Sequence, residues 1–108
     1  MMKGFFMEIK DYRDFEEKVL RAVEPVLVDF YASWCGPCKI MAPVVSELAE
    51  SGGGFSVYKV DVDNVSEAAG KFGVSSIPTF IAFRNGTEIA RITGAVSKQK
   101  LVGLMDKA

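Results

Sequence analysis

The sequence predicts an α/β fold in which a central mixed β-sheet of about five strands is flanked by about four helices, on both faces. Two patterns and the chain length carry this expectation. The β-forming runs Val26 to Ala32 and Phe55 to Val62 alternate with segments of helical periodicity, and that alternation demands parallel strands joined by crossover helices. Asn85-Gly86 lies between two further β-forming runs and is a hairpin signal, which demands an antiparallel pair. With 108 residues, 49% of them apolar, the chain has the size of one domain, residues 1–108, and can bury roughly two-thirds of its unfolded surface. The order reads strand, helix, strand, helix, strand, short helix, hairpin, helix.

Asp11 to Ala22 (DYRDFEEKVLRA) places Phe15, Val19 and Ala22 at helical spacing, with Asp11 as a cap and charges on the other face. VLVDFYA, Val26 to Ala32, opens after Pro25 and is apolar on both faces except at Asp29, as a central buried strand is. Lys39 to Glu50 carries Ile40, Val44, Val45 and Leu48 at helical spacing, and Gly52-Gly53-Gly54 ends it. Pro43 inside that helix removes one backbone bond and is expected to kink the axis. FSVYKVDV, Phe55 to Val62, reads as a second central strand with Lys59 amid apolar neighbours. Val65 to Lys71 is a short helix. Thr79 to Arg84 and Thr87 to Thr93 are the hairpin strands around Asn85-Gly86. Ser97 to Lys107 closes the chain as a helix capped by Ser97, with Leu101, Val102, Leu104 and Met105 facing inward.

Thirteen basic and fourteen acidic residues leave a net charge of −1, so neither nucleic acid nor an anionic membrane is expected as a partner. No apolar run approaches the ~20 residues of a membrane span. The start, MMKGFFMEIKD, has one lysine followed by a few apolar residues, short of the roughly 7–15 of a secretory signal. The expectation is a soluble, cytoplasmic protein, with the reservation that a leader removed beforehand leaves no trace. Two cysteines form at most one internal disulfide, too few for a disulfide-stapled secreted scaffold.

Both cysteines lie in WCGPC, Trp34 to Cys38, and there is no histidine. The strand delivers the chain to Trp34 and the next helix begins at about Cys35. Unpaired N–H groups and the positive end of the helix dipole then favour a Cys35 thiolate. Gly36 lets the turn form without steric conflict, and Pro37 fits the first turn, where its missing N–H costs nothing. One turn on, Cys38 falls on the same face at a Cα separation of ~5 Å that a disulfide can bridge. Cys38 is expected to be the more buried thiol. The implied chemistry is attack by Cys35 on a disulfide of another molecule, with the mixed disulfide resolved by Cys38. A purely structural disulfide is a weaker reading, because closing so short a loop removes little unfolded-chain entropy. A zinc site would need two further Cys or His ligands that the chain lacks, which leaves a metal bridged between two chains. Inert core cysteines would not explain the Gly-Pro spacer.

VDFYASWCGPCKIMAP, with SSIPTF and then NG downstream, resembles the thioredoxin family over nearly the whole chain. That family's fold is a mixed sheet with two helices on each face. The resemblance implies a thiol-disulfide oxidoreductase that reduces disulfides in partner proteins, is re-reduced by an NADPH-dependent thioredoxin reductase, binds no cofactor or metal itself and acts as a monomer. It assigns Asp29 as the buried carboxyl that takes a proton from Cys38, Lys59 as the neighbour tuning it, and a cis Ile77-Pro78 bond beside the active disulfide that leaves the Ile77 backbone free to pair with substrate. Trp34, Gly36, Pro37, Ile77, Thr93, Gly94 and Ala95 are expected to form a shallow docking surface. Tyr31 stands where many members carry a second tryptophan, and Ser76 where some carry glycine; neither departure is expected to touch the chemistry. Pro43 matches the family's kinking proline. An oxidase or isomerase of the same fold, and a docking subunit with incidental turnover, remain the alternatives.

Overall fold

The computed structural model describes residues 7–108. A helix, α1 (Tyr12–Phe15), opens at Asp11, whose side chain accepts the Asp14 N–H at 2.8 Å. It runs directly into a π-helical turn, Glu16–Leu20, so the segment expected as one regular helix widens after Phe15. Phe15 and Val19 are nonetheless both fully buried, as their spacing requires. There follow β1 (Val26–Tyr31), α2 (Gly36–Ser51), β2 (Ser56–Asp61), α3 (Ser66–Lys71), β3 (Thr79–Arg84), β4 (Thr87–Thr93) and α4 (Lys98–Met105).

Among the described residues the sheet has four strands in the order β2-β1-β3-β4. β1 runs parallel to β2 and antiparallel to β3, and β3 pairs antiparallel with β4, so the sheet is mixed as expected. Among the described residues the expected first strand shows one parallel bridge, Glu8 to Lys59; the rest of it lies outside the described residues. The Ile9 N–H bonds to the Lys59 carbonyl at 2.9 Å and the Lys59 N–H to the Met7 carbonyl at 2.8 Å. The pairing stops there because Lys10 turns away, its N–H bonded to Asp14 at the start of α1. Among the described residues β2 therefore pairs with β1 on one side and with residues 7–9 on the other.

The core divides into two layers. Phe15, Val19, Ala68 and Ala69 pack on the face formed by Val26, Val28, Phe30, Ile81 and Phe83. Met41, Val45 and Leu48 of α2, with Leu101, Leu104 and Met105 of α4, cover Leu27, Val57, Phe80 and Ala82 on the other face. Strand side chains alternate, so Asp29 and Tyr31 share the Leu27 face, toward α2. The inner stripe of α2 falls one residue later than Ile40 and Val44 implied. Cys38, Met41, Val45 and Leu48 are buried, and Ile40 is 69% exposed. The inward-facing Cys38 sets the phase, and the 3-4-3 spacing from it skips Ile40. Val102 of α4 is likewise exposed.

Helix ends follow their local signals. Gly52 closes α2 in the left-handed conformation, and the Ser97 side chain accepts the Lys100 N–H at 3.2 Å to cap α4. In the hairpin, Asn85 and Gly86 both have positive φ, 52° and 77°, the geometry of a type I′ turn. Gly86 carries a second constraint, because a Cβ there would sit 2.5 Å from the Leu20 carbonyl oxygen. Both the backbone conformation and the approach of the first helical segment thus exclude a side chain. Gly86→Ala is expected to destabilise the protein by about 2 kcal/mol or more, whereas Asn85→Gly leaves it within about 1 kcal/mol. Urea unfolding midpoints of the two variants measure this.

Candidate active site

β1 ends at Tyr31, and Ala32 to Trp34 carry the chain to the start of α2. Cys35 is the N-cap of that helix, in extended conformation (φ −92°, ψ 115°), and its sulfur accepts the Cys38 N–H at 3.2 Å. Pro37 occupies the first turn. Cys35 and Cys38 are joined in a disulfide with a Cα separation of 5.2 Å. One half of the sequence argument does not hold: a Cβ on Gly36 would meet nothing within 4 Å, and its φ is not positive. The turn does not need glycine there; its absent side chain leaves the surface beside the disulfide flat.

The expected difference in burial is absent as well. Cys35 is 5% exposed and Cys38 6%. Bonded to each other, both sulfurs lie in one small cluster with Ala32, against which Tyr31, Val62 and Ile77 pack. The two cysteines differ instead in their neighbours. Cys35 is flanked by the exposed residues Trp34, Gly36 and Pro37. Cys38 lines a pocket of about 100 Å³ with Tyr31, Ala32, Ser33, Lys39, Ala42 and Lys59.

Trp34 is 67% exposed and is fixed at its edge, its indole N–H donating to Asp63 Oδ2 at 2.7 Å. Ile77-Pro78 is a cis bond and Pro78 is buried. The Gly94 N–H donates to the Pro78 carbonyl at 2.7 Å, while Thr79 Oγ1 donates to the Ser76 carbonyl at 2.5 Å and lies 3.2 Å from Thr93 Oγ1. These bonds bring Ile77, Pro78, Thr93 and Gly94 together, with Ile77 against the disulfide cluster. Among the described residues neither the N–H nor the C=O of Ile77 enters a backbone hydrogen bond. Ala95 is exposed and follows directly. Ile40 on α2 is exposed, against the periodicity argument that placed it inward. Asp63 left no signal in the sequence, since only the fold brings it to Trp34.

Asp29 is 2% exposed, and its Oδ1 has no hydrogen-bond partner. Desolvation pushes its pKa from 3.8 to about 7; the charge of Lys59, its register partner on β2, opposes this and the charge of Glu8 reinforces it. A carboxyl on the sheet face toward α2, paired in register with Lys59 of the Cys38 pocket, thus has its proton affinity raised toward neutrality. Among the described residues no group of three or more His, Cys, Asp or Glu side chains is arranged to hold a metal ion.

Because Asp29 binds its proton more tightly when folded than when unfolded, its contribution to stability falls as pH rises from about 4 to about 7 and is constant above. Asp29→Asn removes that penalty. The variant is expected to be more stable than the parent at pH 8 by a few kcal/mol, at about 1.4 kcal/mol per pH unit of the window, with the advantage fading toward pH 4. Denaturant titrations at both pH values check the sign.

The family model described as Thioredoxin matches residues 6–107. The chain is 44% identical over 103 residues to the M-type chloroplastic thioredoxin of Spinacia oleracea, covering 93% of this chain and 57% of that protein. It is 47% identical over 100 residues to the bifunctional thioredoxin reductase/thioredoxin of Mycobacterium leprae, covering 92% of this chain and 22% of that one. The chain thus spans about half and about a fifth of these two relatives. The structure of Plasmodium falciparum thioredoxin superposes with a TM-score of 0.84 at 36% identity, over 93% of this chain and 96% of that one. The chain belongs to the thioredoxin family, and its Cys35–Cys38 pair is the redox-active CxxC centre of a thiol-disulfide oxidoreductase.

Proposed function

We propose that residues 1–108 act as one thioredoxin unit that reduces disulfides in partner proteins. The observation that carries this reading is the Cys35 sulfur at the N-terminus of α2, accepting an N–H and bonded one turn on to Cys38. In the reduced form, the same N–H and the helix dipole stabilise a Cys35 thiolate. The thiolate attacks one sulfur of a target disulfide, and the other target sulfur leaves as a thiolate and takes a proton. Cys38 then loses its proton and attacks Cys35, releasing the second target thiol and closing the Cys35–Cys38 disulfide. Two electrons pass to the target.

Asp29 receives the Cys38 proton in the resolving step. Its proton affinity near pH 7 suits a group that must be a base in one half-reaction and an acid in the other. Lys59 tunes that affinity. Gly36 and Pro37 set the spacer, and Trp34, Ile77, Pro78, Thr93, Gly94 and Ala95 form the docking surface, where the unengaged Ile77 backbone pairs with an extended segment of the target.

The oxidised chain is returned to the dithiol by a thioredoxin reductase drawing on NADPH. The relative from Mycobacterium leprae, whose name joins the two activities, supports such a partner. The chain works as a cytoplasmic monomer. No helix among the described residues is long and apolar enough to cross a membrane.

Three measurements test the reading. Cys38→Ser should accumulate mixed disulfides with cellular proteins, while a variant lacking both cysteines accumulates none; equal yields would sink the mechanism. Asp29→Asn should slow disulfide exchange at pH 7 by at least about ten-fold and remove the rise in rate as pH increases through about 7. Equilibration with glutathione separates a reductase from an oxidase, since each 30 mV or so is about ten-fold in the equilibrium constant; a potential as oxidising as that of glutathione would favour the oxidase.

A further inference from the structure

Tyr31 ends β1, half-buried on the wall of the Cys38 pocket, and two opposite charges meet it at different atoms. Lys59 Nζ lies 4.4 Å from the centroid of its ring. Its hydroxyl donates to Glu8 Oε2 at 2.6 Å. Lys59 is the register partner of Asp29, and paired residues share a sheet face. A lysine so placed, beside a buried carboxyl with an unpartnered oxygen, would ordinarily pair with it. Among the described residues no ion pair joins Lys59 to Asp29 or to Glu8. The ammonium rests on the ring face instead, where the aromatic quadrupole attracts it.

We propose that Tyr31 is a positioning residue of the exchange reaction: its ring holds the Lys59 ammonium and its hydroxyl holds the Glu8 carboxylate, so that the two do not neutralise each other and the cation stays off the Asp29 carboxyl. The inference rests on the role of Asp29 given above, and it runs against the expectation that tyrosine at this position is remote from the chemistry. An ion pair with Lys59 would keep Asp29 ionised and unable to return a proton. With the cation parked on the ring, the carboxyl alternates between its two forms near neutral pH. Glu8 sets the ring by fixing its hydroxyl. The groups that act on Asp29 are Lys59 from β2 and Glu8 from the segment before α1. Tyr31 itself also feels Asp61 at the end of β2, while α2 contributes Lys39 and, once the disulfide opens, Cys38 to the shared pocket. Phe80, the β3 partner of Asp29, is apolar.

The test follows the Asp29 carboxyl by carbon-13 NMR through a pH titration of the oxidised protein, in which neither cysteine titrates. A Glu8→Gln background removes the carboxylate that a lost hydroxyl would free to compete for the ammonium. In that background Tyr31→Leu is expected to lower the Asp29 midpoint by about one pH unit, as an approaching cation does. Tyr31→Trp, which keeps a ring, leaves it in place. With Lys59→Met added, Tyr31→Leu moves nothing. A midpoint indifferent to Tyr31→Leu overturns the proposal, as does an equal fall when Lys59 is absent, which would mark a general loosening of the strand. An Asp29→Asn variant that exchanges disulfides at the parent rate would defeat the proton-carrier role alone and leave the titration result standing.

Discussion

A helix N-terminus leaves N–H groups without partners, and here a cysteine sulfur satisfies one of them. The active centre depends on that arrangement. For Cys35 to act as the cap of α2, the turn after β1 must deliver it in extended conformation and the chain must enter the helix at the next residue, where Pro37 fits the first turn. The helix must then run long enough for Met41, Val45 and Leu48 to anchor it on the sheet, because an unanchored first turn would not hold the sulfur against the Cys38 N–H. The separation of 5.2 Å between the two Cα atoms follows from one turn of that helix. The N–H contact to the Cys35 sulfur and disulfide closure are thus consequences of one local geometry.

Behind the disulfide face the protein keeps a carboxyl in a place where carboxyls are costly. Asp29 lies in β1 between two partner strands and beneath α2, with one oxygen unpartnered. Substitution by an apolar residue would make a better strand. Its position instead provides a proton site with an affinity near neutrality, beside the pocket into which Cys38 opens. Tyr31, Lys59 and Glu8 surround this site with balanced charge: one cation on an aromatic face, one anion on a hydroxyl. Of the three, Lys59 and Glu8 act electrostatically on Asp29, and Tyr31 also packs against the disulfide cluster.

The proposed docking surface is built from segments far apart in sequence. The loop at Pro78 is tied to the end of β4 through Gly94 and through the two threonine hydroxyls, and Ile77 is thereby pressed onto the disulfide. Trp34 is fixed from another side by Asp63. The result is a nearly covered disulfide with exposed Trp34 and half-buried Ile77 beside it.

The sequence by itself determined the local structure and the chemistry that is local. Caps at Asp11 and Ser97, the stop at Gly52, the Asn85-Gly86 turn and the helix start at WCGPC are set by neighbouring residues, and each lies where its signal puts it. Asp29 announced itself as a charge inside an apolar strand, and cis Ile77-Pro78 was implied by family resemblance, not by spacing. Tertiary structure decided what depends on packing between distant segments. It set the phase of α2 so that Met41 is buried and Ile40 is not, and buried both cysteines alike. It also brought Asp63 to Trp34, and Glu8 and Lys59 to Tyr31. Those partners are 29, 23 and 28 residues apart in the chain. No periodicity or propensity links residues at such distances; the sheet register and the surfaces it buries do.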